Sequence, residues 1–345
     1  MLILRISLFP KINNNIILVA ALDWGLGHAT RCIPIVENYL SQNKTIVLAG
    51  SGFSGKLLKN SFPQLSYYQL PAYNIKYPKG NFFNIKMLSQ IPKILSVIKN
   101  ENKSLNEIIS KENIQTIISD NRYGIYKKGL QNIIVCHQLN LNAPFLKSLI
   151  NTNYHSYFKN FDECWVPDFK EVLESLAGNL SHPLNFNIPI KYLGPISRFK
   201  KMDVAENPNK ILILLSGPEP QRSILEDILL KQINKLSNFK WIILRGTEEK
   251  LKSSIKLEDN IEVADFLNKT QIEQLICESS LIICRAGYTS LMDFVLLNKK
   301  AILIPTPGQW EQEYLASCNA KNPNFLFVNQ NEIILEKCIA HFRAK

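Results

Sequence analysis

Short runs of apolar, often β-branched residues recur along the chain, each followed by a longer stretch whose apolar positions have helical spacing. In the first half the runs are IILVAA (16–21), TIVLAG (45–50), TIISD (116–120), NIIVCHQ (132–138) and ECWVP (163–167). After a gap come KILILLS (210–216), KWIILRG (240–246), IEVADF (261–266), SLIICRAG (280–287) and KAILIPT (300–306). They are apolar throughout rather than alternating, which is the pattern of strands covered on both faces in a parallel sheet. Alternation of such strands with helices predicts a doubly wound α/β unit in each half. Between the halves, YLGPISRFKKMDVAENPNK (192–210) mixes proline, glycine and both signs of charge without a period, so it reads as a linker. The expected architecture is two Rossmann-like domains, residues 1–197 and 198–345, facing a cleft. In such sheets ligands bind beyond the carboxyl ends of the strands, so the residues just after each strand carry the chemistry.

A length of 345 residues suits two domains of ordinary size. The net charge of +11, from 40 Lys and Arg against 29 Asp and Glu, favours an anionic partner over a merely solvated basic surface. A nucleotide or a membrane surface fits that charge. No basic run is interleaved with a recognition motif, so no nucleic-acid partner is expected. The seven cysteines form no CxxC pair and no metal-like Cys/His cluster; they read as buried reduced thiols of a cytoplasmic protein, and no metal is expected. The opening MLILRISLFPKINNN has its apolar run broken by Arg5 and lacks a small-residue cleavage site, so no signal peptide is expected. No uncharged apolar segment approaches the ~20 residues of a membrane span.

The stretch LDWGLGHATR (22–31) sits where the first strand hands over to a helix. It lacks the third glycine of GxGxxG and the Lys-Ser/Thr end of a P-loop. What remains is a turn in which Gly25 and Gly27 let backbone pass close to a ligand, with His28 at the mouth of a helix. The helix amino terminus disfavours an imidazolium, and a neutral imidazole aimed into a cleft is a general base. A capping histidine in a tight turn accounts for the same ten residues. TIISDNRYG puts Asp120 at a strand end, where it either orients His28 or serves a turn. His137 also ends a strand, as an acceptor-site residue or a buried histidine.

In the second half, IICRAGYTSLMDFVLLNKKAILIPTPGQWEQEYLA reads strand, glycine turn, helix, strand, proline loop, helix. Gly287 permits close backbone approach, and Thr289 and Ser290 can donate to phosphate at a helix start. Asp293 follows Ser290 by about one helical turn, and its carboxylate suits a ribose diol. Glu311, Gln312 and Glu313 open the next helix, where they read sugar hydroxyls or simply answer the macrodipole.

Taken together, these segments resemble the GT-B glycosyltransferases, in particular the family 28 group, and the likeness spans most of the chain. GLGHATR, the linker, LSGPEPQR, VADF and the long segment above carry it. The resemblance implies transfer of a sugar from a nucleotide-sugar donor, of the UDP type, to an acceptor hydroxyl, with inversion. It implies His28 as the base, with Asp120 orienting it and Gly27 beside it. Phe266 and Leu267 would meet the nucleobase; Gly217, Gly287, Thr289 and Ser290 the diphosphate; Asp293 the ribose; Gln312 and Glu313 the donor sugar. Arg198 and Arg222 would offset the diphosphate charge, each otherwise a surface cation, and no cofactor is implied. The family usually has glutamate at Asp293 and often glutamine at Glu313, so the chain departs from it at both. Residues 76–99 hold five lysines and no acid, interrupted by Pro92. They read as a contact for an anionic membrane or a lipid-linked acceptor at the inner membrane face, or as a helix packed on the first sheet. A sugar-nucleotide epimerase or hydrolase, or a non-catalytic nucleotide-sugar binder, are the rival functions.

Overall fold

The computed structural model describes residues 9–75, 90–141, 154–246 and 258–343. These form two compact units that part between Arg198 and Phe199. In chain order the first holds β1 (Ile16–Ala21), α1 (Leu26–Leu40), β2 (Thr45–Gly50), α2 (Gly52–Ser61), β3 (Tyr67–Gln69), α3 (Ile91–Lys111), β4 (Thr116–Asp120), β5 (Gln131–Val135), β6 (Glu163–Val166) and β7 (Ile190–Tyr192). The second begins with β8 (Asn207–Leu214), α4 (Gln221–Ile233), β9 (Lys240–Leu244), β10 (Ile261–Ala264), α5 (Lys269–Glu278) and β11 (Ser279–Arg285). It continues with α6 (Tyr288–Leu297), β12 (Ala301–Ile304), α7 (Trp310–Cys318), β13 (Phe325–Phe327) and α8 (Leu335–Arg343).

Each unit is a parallel sheet, ordered β3-β2-β1-β4-β5-β6-β7 in the first and β10-β9-β8-β11-β12-β13 in the second. The order reverses once in each, between β1 and β4 and between β8 and β11. That reversal opens a crevice at the carboxyl ends of the two strands, because their following loops leave in opposite directions. Both faces of the first sheet are covered. Leu18 and Ala20 of β1 pack with Leu105 and Ile108 of α3, while Ile17, Val19 and Ala21 are equally buried on the other side. In the second unit Ile211 and Ile213 join Leu225 and Leu229 of α4 and Ile339 of α8. Among the described cysteines all are free, and all but Cys318 are buried.

Three differences from the sequence reading have physical causes. β3, β7 and β13 are three-residue edge-side strands, too short to carry a period. NIIVCHQ, KWIILRG and KAILIPT leave the ladder at Val135, Leu244 and Ile304, although burial continues into Cys136 and His137, Arg245 and Thr306. Pro92 does not interrupt a helix; it sits in the first turn of α3, where its missing N–H costs nothing. Within α3, Leu105 and Ile108 pack on the sheet while Ile91 and Leu95 remain exposed. Lys76, Lys79 and Lys86 of the basic stretch lie outside the described residues.

A buried cation locks the carboxyl end of the first sheet. Arg122 donates Nε to the Ala21 carbonyl (2.7 Å), Nη1 to Glu101 Oε1 (2.8 Å) and to the Pro71 carbonyl (3.1 Å), and Nη2 to Ser51 Oγ (2.5 Å). It thereby ties together the chain just beyond β1, β2, β3 and β4. Glu101, on α3, also accepts from the Gly124 amide at 3.0 Å. Arg122→Met strands a buried carboxylate, so urea unfolding should show a loss of about 3–5 kcal/mol. Arg122→Met with Glu101→Gln should cost less than Arg122→Met alone. A double variant as unstable as the sum of the singles would contradict the clamp.

Candidate functional site

In the first unit the switch point is occupied by the turn from β1 into α1. Gly25 caps α1 at φ +109°, a conformation that L side chains avoid, so the turn requires glycine there. Gly27 lies in the opening turn and its carbonyl accepts from Thr30 Oγ at 2.9 Å. His28 comes next. Asp120 is the last residue of β4 and pairs in register with Ala21, the last of β1. This brings two residues 92 apart in sequence into contact: His28 Nδ1 lies 2.6 Å from Asp120 Oδ1. Asp120 is fully buried, and the His28 side chain is 15% exposed.

A third side chain completes the group. Arg31, one turn after His28, donates Nε to Asp120 Oδ2 (2.8 Å) and Nη2 to Oδ1 (2.7 Å), and the same Nη2 lies 2.7 Å from His28 Nδ1. Burial and then Arg31 push the His28 imidazole below its ordinary value, against the opposing pull of Asp120. Burial works against the Asp120 carboxylate, but Arg31 and His28 outweigh it and hold the group at about 2. With Nδ1–H donated to the carboxylate, Nε2 is the unprotonated nitrogen, able to take a proton. Arg31 was absent from the sequence reading. Its signal was an arginine three residues after the histidine, on the same face of a helix that buries Ala29, Cys32 and Ile33.

The loop before Gly25 adds polar atoms. Asp23 Oδ2 accepts from the Tyr73 amide at 3.0 Å, and Trp24 meets Tyr73 edge to face at 5.7 Å. Asp23 Oδ1 and Trp24 Nε1 are buried without a hydrogen-bond partner among the described residues. His137, just past β5, is buried, and its proximity also disfavours an imidazolium at His28.

The second unit has its own switch point, between β8 and β11. Gly217 follows β8 at φ +99°, and a Cβ added there would lie 3.9 Å from Thr306 Oγ1 and 4.0 Å from Arg285 Nε. Both atoms are buried without a hydrogen-bond partner among the described residues. Arg285 ends β11; its Nη2 donates to the Gln221 carbonyl (2.5 Å) and Gln330 Oε1 (2.6 Å), and burial lowers its guanidinium to about 10. Among the described residues its partners are neutral oxygens. Arg222, in contrast, is buried and ion-paired to Glu219 and Glu226, with Glu226 also held by Arg245. Its charge is compensated within the unit. Arg198 is half-buried at the end of the first unit.

Gly287 caps α6, and open space surrounds the position of its missing Cβ. Thr289 and Ser290 are half-buried in the first turn of α6, and Asp293 is buried one turn later. Phe266 is exposed and Leu267 half-buried in the loop from β10 to Asn268, whose side chain caps α5 by a reciprocal box with Gln271. Gln312 and Glu313 fold back on the proline loop: Gln312 Oε1 accepts from the Thr306 amide (2.8 Å) and Glu313 Oε1 from the Gly308 amide (3.1 Å). Among the described residues no group of three or more His, Cys, Asp or Glu side chains is placed to hold a metal ion. No helix there is long and apolar enough to cross a membrane.

Residues 221–343 match the model of the glycosyltransferase family 28 C-terminal domain. The chain is 22% identical to a UDP-N-acetylglucosamine–N-acetylmuramyl-(pentapeptide) pyrophosphoryl-undecaprenol N-acetylglucosamine transferase of Lactobacillus acidophilus, over 82% of this chain and 77% of that one. It is 21% identical to an uncharacterized glycosyltransferase of Methanosarcina mazei, over 84% and 79%. Among solved structures, the glycotransferase of kitacinnamycin superposes with a TM-score of 0.68 at 8% identity, covering 95% of this chain and 89% of that one. Acinetobacter baumannii MurG does so at 0.56 and 15%, covering 95% and 90%. At these identities the structural likeness is one of fold.

The Asp120 arrangement has a consequence for acid stability. A carboxyl held at about 2 in the folded chain, against an ordinary 3.8, stabilises the fold above the ordinary value. That contribution, about 2 kcal/mol, should fade as pH falls from about 4 towards about 2. Urea unfolding across this range should therefore fall more steeply for the wild type than for Asp120→Asn. Parallel pH profiles would refute the assignment.

Proposed function

We propose that this chain, a family 28-like GT-B glycosyltransferase, transfers a sugar from a UDP-type nucleotide donor to an acceptor hydroxyl in cell-envelope synthesis. The observation that carries the reading is the contact of His28 Nδ1 with Asp120 at the first unit's switch point, 2.6 Å from Oδ1. The acceptor O–H gives its proton to His28 Nε2 while its oxygen attacks the anomeric carbon. The bond from that carbon to the diphosphate oxygen breaks, and the nucleoside diphosphate leaves with the electron pair. One displacement inverts the anomeric centre.

The first unit is the acceptor side and the second the donor side. Asp293 takes the ribose hydroxyls, and Phe266 and Leu267 flank the nucleobase. Gly287, Thr289 and Ser290 at the start of α6 hold the diphosphate together with Gly217, Arg285 and Thr306. An unpaired Nε–H and hydroxyl beneath a glycine turn are what a phosphate oxygen needs, and fixed donors there stabilise the leaving charge. Arg285 takes the charge-balancing place that sequence reasoning gave to Arg222, with Arg198 still a candidate. Gln312 and Glu313 keep the proline loop in place and offer their remaining atoms to the donor sugar. Asp23 Oδ1 and Trp24 Nε1 offer an acceptor and a donor to the incoming acceptor molecule.

The names of the similar transferases, and the basic stretch leading into α3, support a lipid-linked acceptor reached at a membrane surface. Leu26, Phe53, Ile91 and Leu95 are exposed, and Lys56 and Lys59 lie on the same unit. A UDP-sugar panel read by thermal shift identifies the donor. Transfer of radiolabelled sugar to a polyprenyl-diphosphate-linked saccharide then tests the reaction. Conversion of the donor without any acceptor would sink it in favour of an epimerase or hydrolase.

His28→Ala should bind the donor normally and lose ~10²–10⁴ in turnover. Asp293→Ala should do the reverse in emphasis, weakening UDP by ~1.5–3 kcal/mol in calorimetry. A His28 variant with wild-type turnover, or a folded Asp293 variant with wild-type UDP affinity, would remove that assignment. On anionic vesicles, co-sedimentation should weaken at high salt and with Lys93→Glu and Lys99→Glu, each lysine adding ~1 kcal/mol. Equal binding to neutral vesicles would exclude the electrostatic contact.

A further inference from the structure

We propose that Arg31 is a positioning residue that keeps His28 an uncharged base by taking the charge of Asp120 for itself. The inference rests on the reading of His28 as the base, and deepens it.

In a bare histidine–aspartate pair the carboxylate stabilises the imidazolium, so the ring gains a proton more readily. Here the carboxylate is already claimed. Arg31 engages both of its oxygens through two N–H groups, at 2.8 and 2.7 Å, leaving His28 a share of Oδ1 only. The charge count follows directly. With a neutral ring, Asp120 and Arg31 cancel and the buried group carries no net charge. With an imidazolium it carries one positive charge, in a place where Asp120 is fully buried and Arg31 nearly so. A guanidinium nitrogen stands 2.7 Å from the ring nitrogen, which adds direct repulsion.

The other groups facing the ring do not reverse this balance. On α1 the neighbour is the Cys32 thiol, 3.9 Å from Asp120 Oδ2 and kept neutral by burial. Beyond β5 stand the buried Cys136 thiol, pushed up to about 11 by burial, and His137, whose proximity disfavours an imidazolium at His28. Arg122, the other cation near the end of β4, is paired with Glu101. Asp120 is thus left to orient the ring, by accepting from Nδ1, rather than to charge it. The planar fork of arginine suits the task because two N–H groups fix the plane of the carboxylate and aim Oδ1 at the ring. A lysine would supply charge without that geometry.

The test measures the ring and the reaction separately. His28 is one of five histidines, and its ring resonances are assigned by their loss in His28→Ala. In the wild type it should titrate below the ordinary 6.5. In Arg31→Met, where the imidazolium and Asp120 form a simple pair, it should move up by one pH unit or more; in Arg31→Lys, by less. The acid limb of kcat/KM for transfer should move with it, so that Arg31→Met loses ~10-fold at pH 6 relative to its own plateau, while the donor KM is unchanged. A wild-type His28 titrating at or above 6.5 would overturn the proposal without any variant. So would an unshifted ring in folded Arg31→Met. If the ring shifts but the acid limb does not, Arg31 acts as proposed and it is the base assignment of His28 that fails.

Discussion

His28 Nδ1 and Arg31 Nη2 both reach Asp120 Oδ1, and the arrangement at the first unit's switch point depends on that shared atom. The sharing is a product of sheet order. β4 is the neighbour of β1, so the last residue of one strand lies beside the residue from which the other turns into α1. A longer β4 or a later helix start would carry the carboxylate away from the ring. The turn that sets the helix start demands Gly25 at positive φ, so the backbone conformation there also fixes where His28 stands.

The same topological place is filled by an opposite charge in the second unit. There β11 ends on Arg285 beside β8, whose following loop passes over it at Gly217. One fold thus presents a carboxylate at one switch point and a guanidinium at the other. Around Asp120 the partners cancel to a neutral group when the ring is neutral. Around Arg285 the described partners are neutral oxygens, so its positive charge is kept. The first arrangement suits a proton acceptor and the second an anion.

Much of the scaffold was legible in the chain. IILVAA, TIVLAG and TIISD coincide with β1, β2 and β4, because long apolar runs buried on both faces signal a parallel strand without ambiguity. Asp120 stood out as the polar end of TIISD, and His28 as the histidine of the glycine turn that follows IILVAA. Arg31 and Arg285 were not, although both are among the most buried cations. Helical spacing says that Arg31 shares a face with His28, but only the strand order says that Asp120 is waiting there. Arg285 ends an apolar strand, and SLIICRAG gives no hint that a loop 68 residues earlier lies over its Nε. Arg222 drew attention instead because LSGPEPQR reads as a polar loop, yet the residue lies in the first turn of α4 and Glu219 and Glu226 consume its charge. Glu313 and Gln312 similarly carried two readings, and their bonds to the 306–308 backbone belong to loop closure.

The cost of Arg285 is itself informative. A cation removed from water without a carboxylate is destabilising, and its lowered pKa of about 10 expresses that cost through burial. The chain has acids to spare for pairing elsewhere: Glu226 serves two arginines, and Arg245 receives both Glu226 and Asp265. At Arg285 the neighbours are instead a hydroxyl with no hydrogen-bond partner and a glycine with no side chain to cover it. Each substitution that would relieve the charge, a carboxylate at position 306 or a larger residue at 217, would also fill the space above it. Such a site is tolerated where ligand binding returns the energy that folding gives up, since a ligand held only by the native state stabilises it. The unbalanced guanidinium is therefore a place where an anion would meet a positive charge that no described carboxylate has claimed.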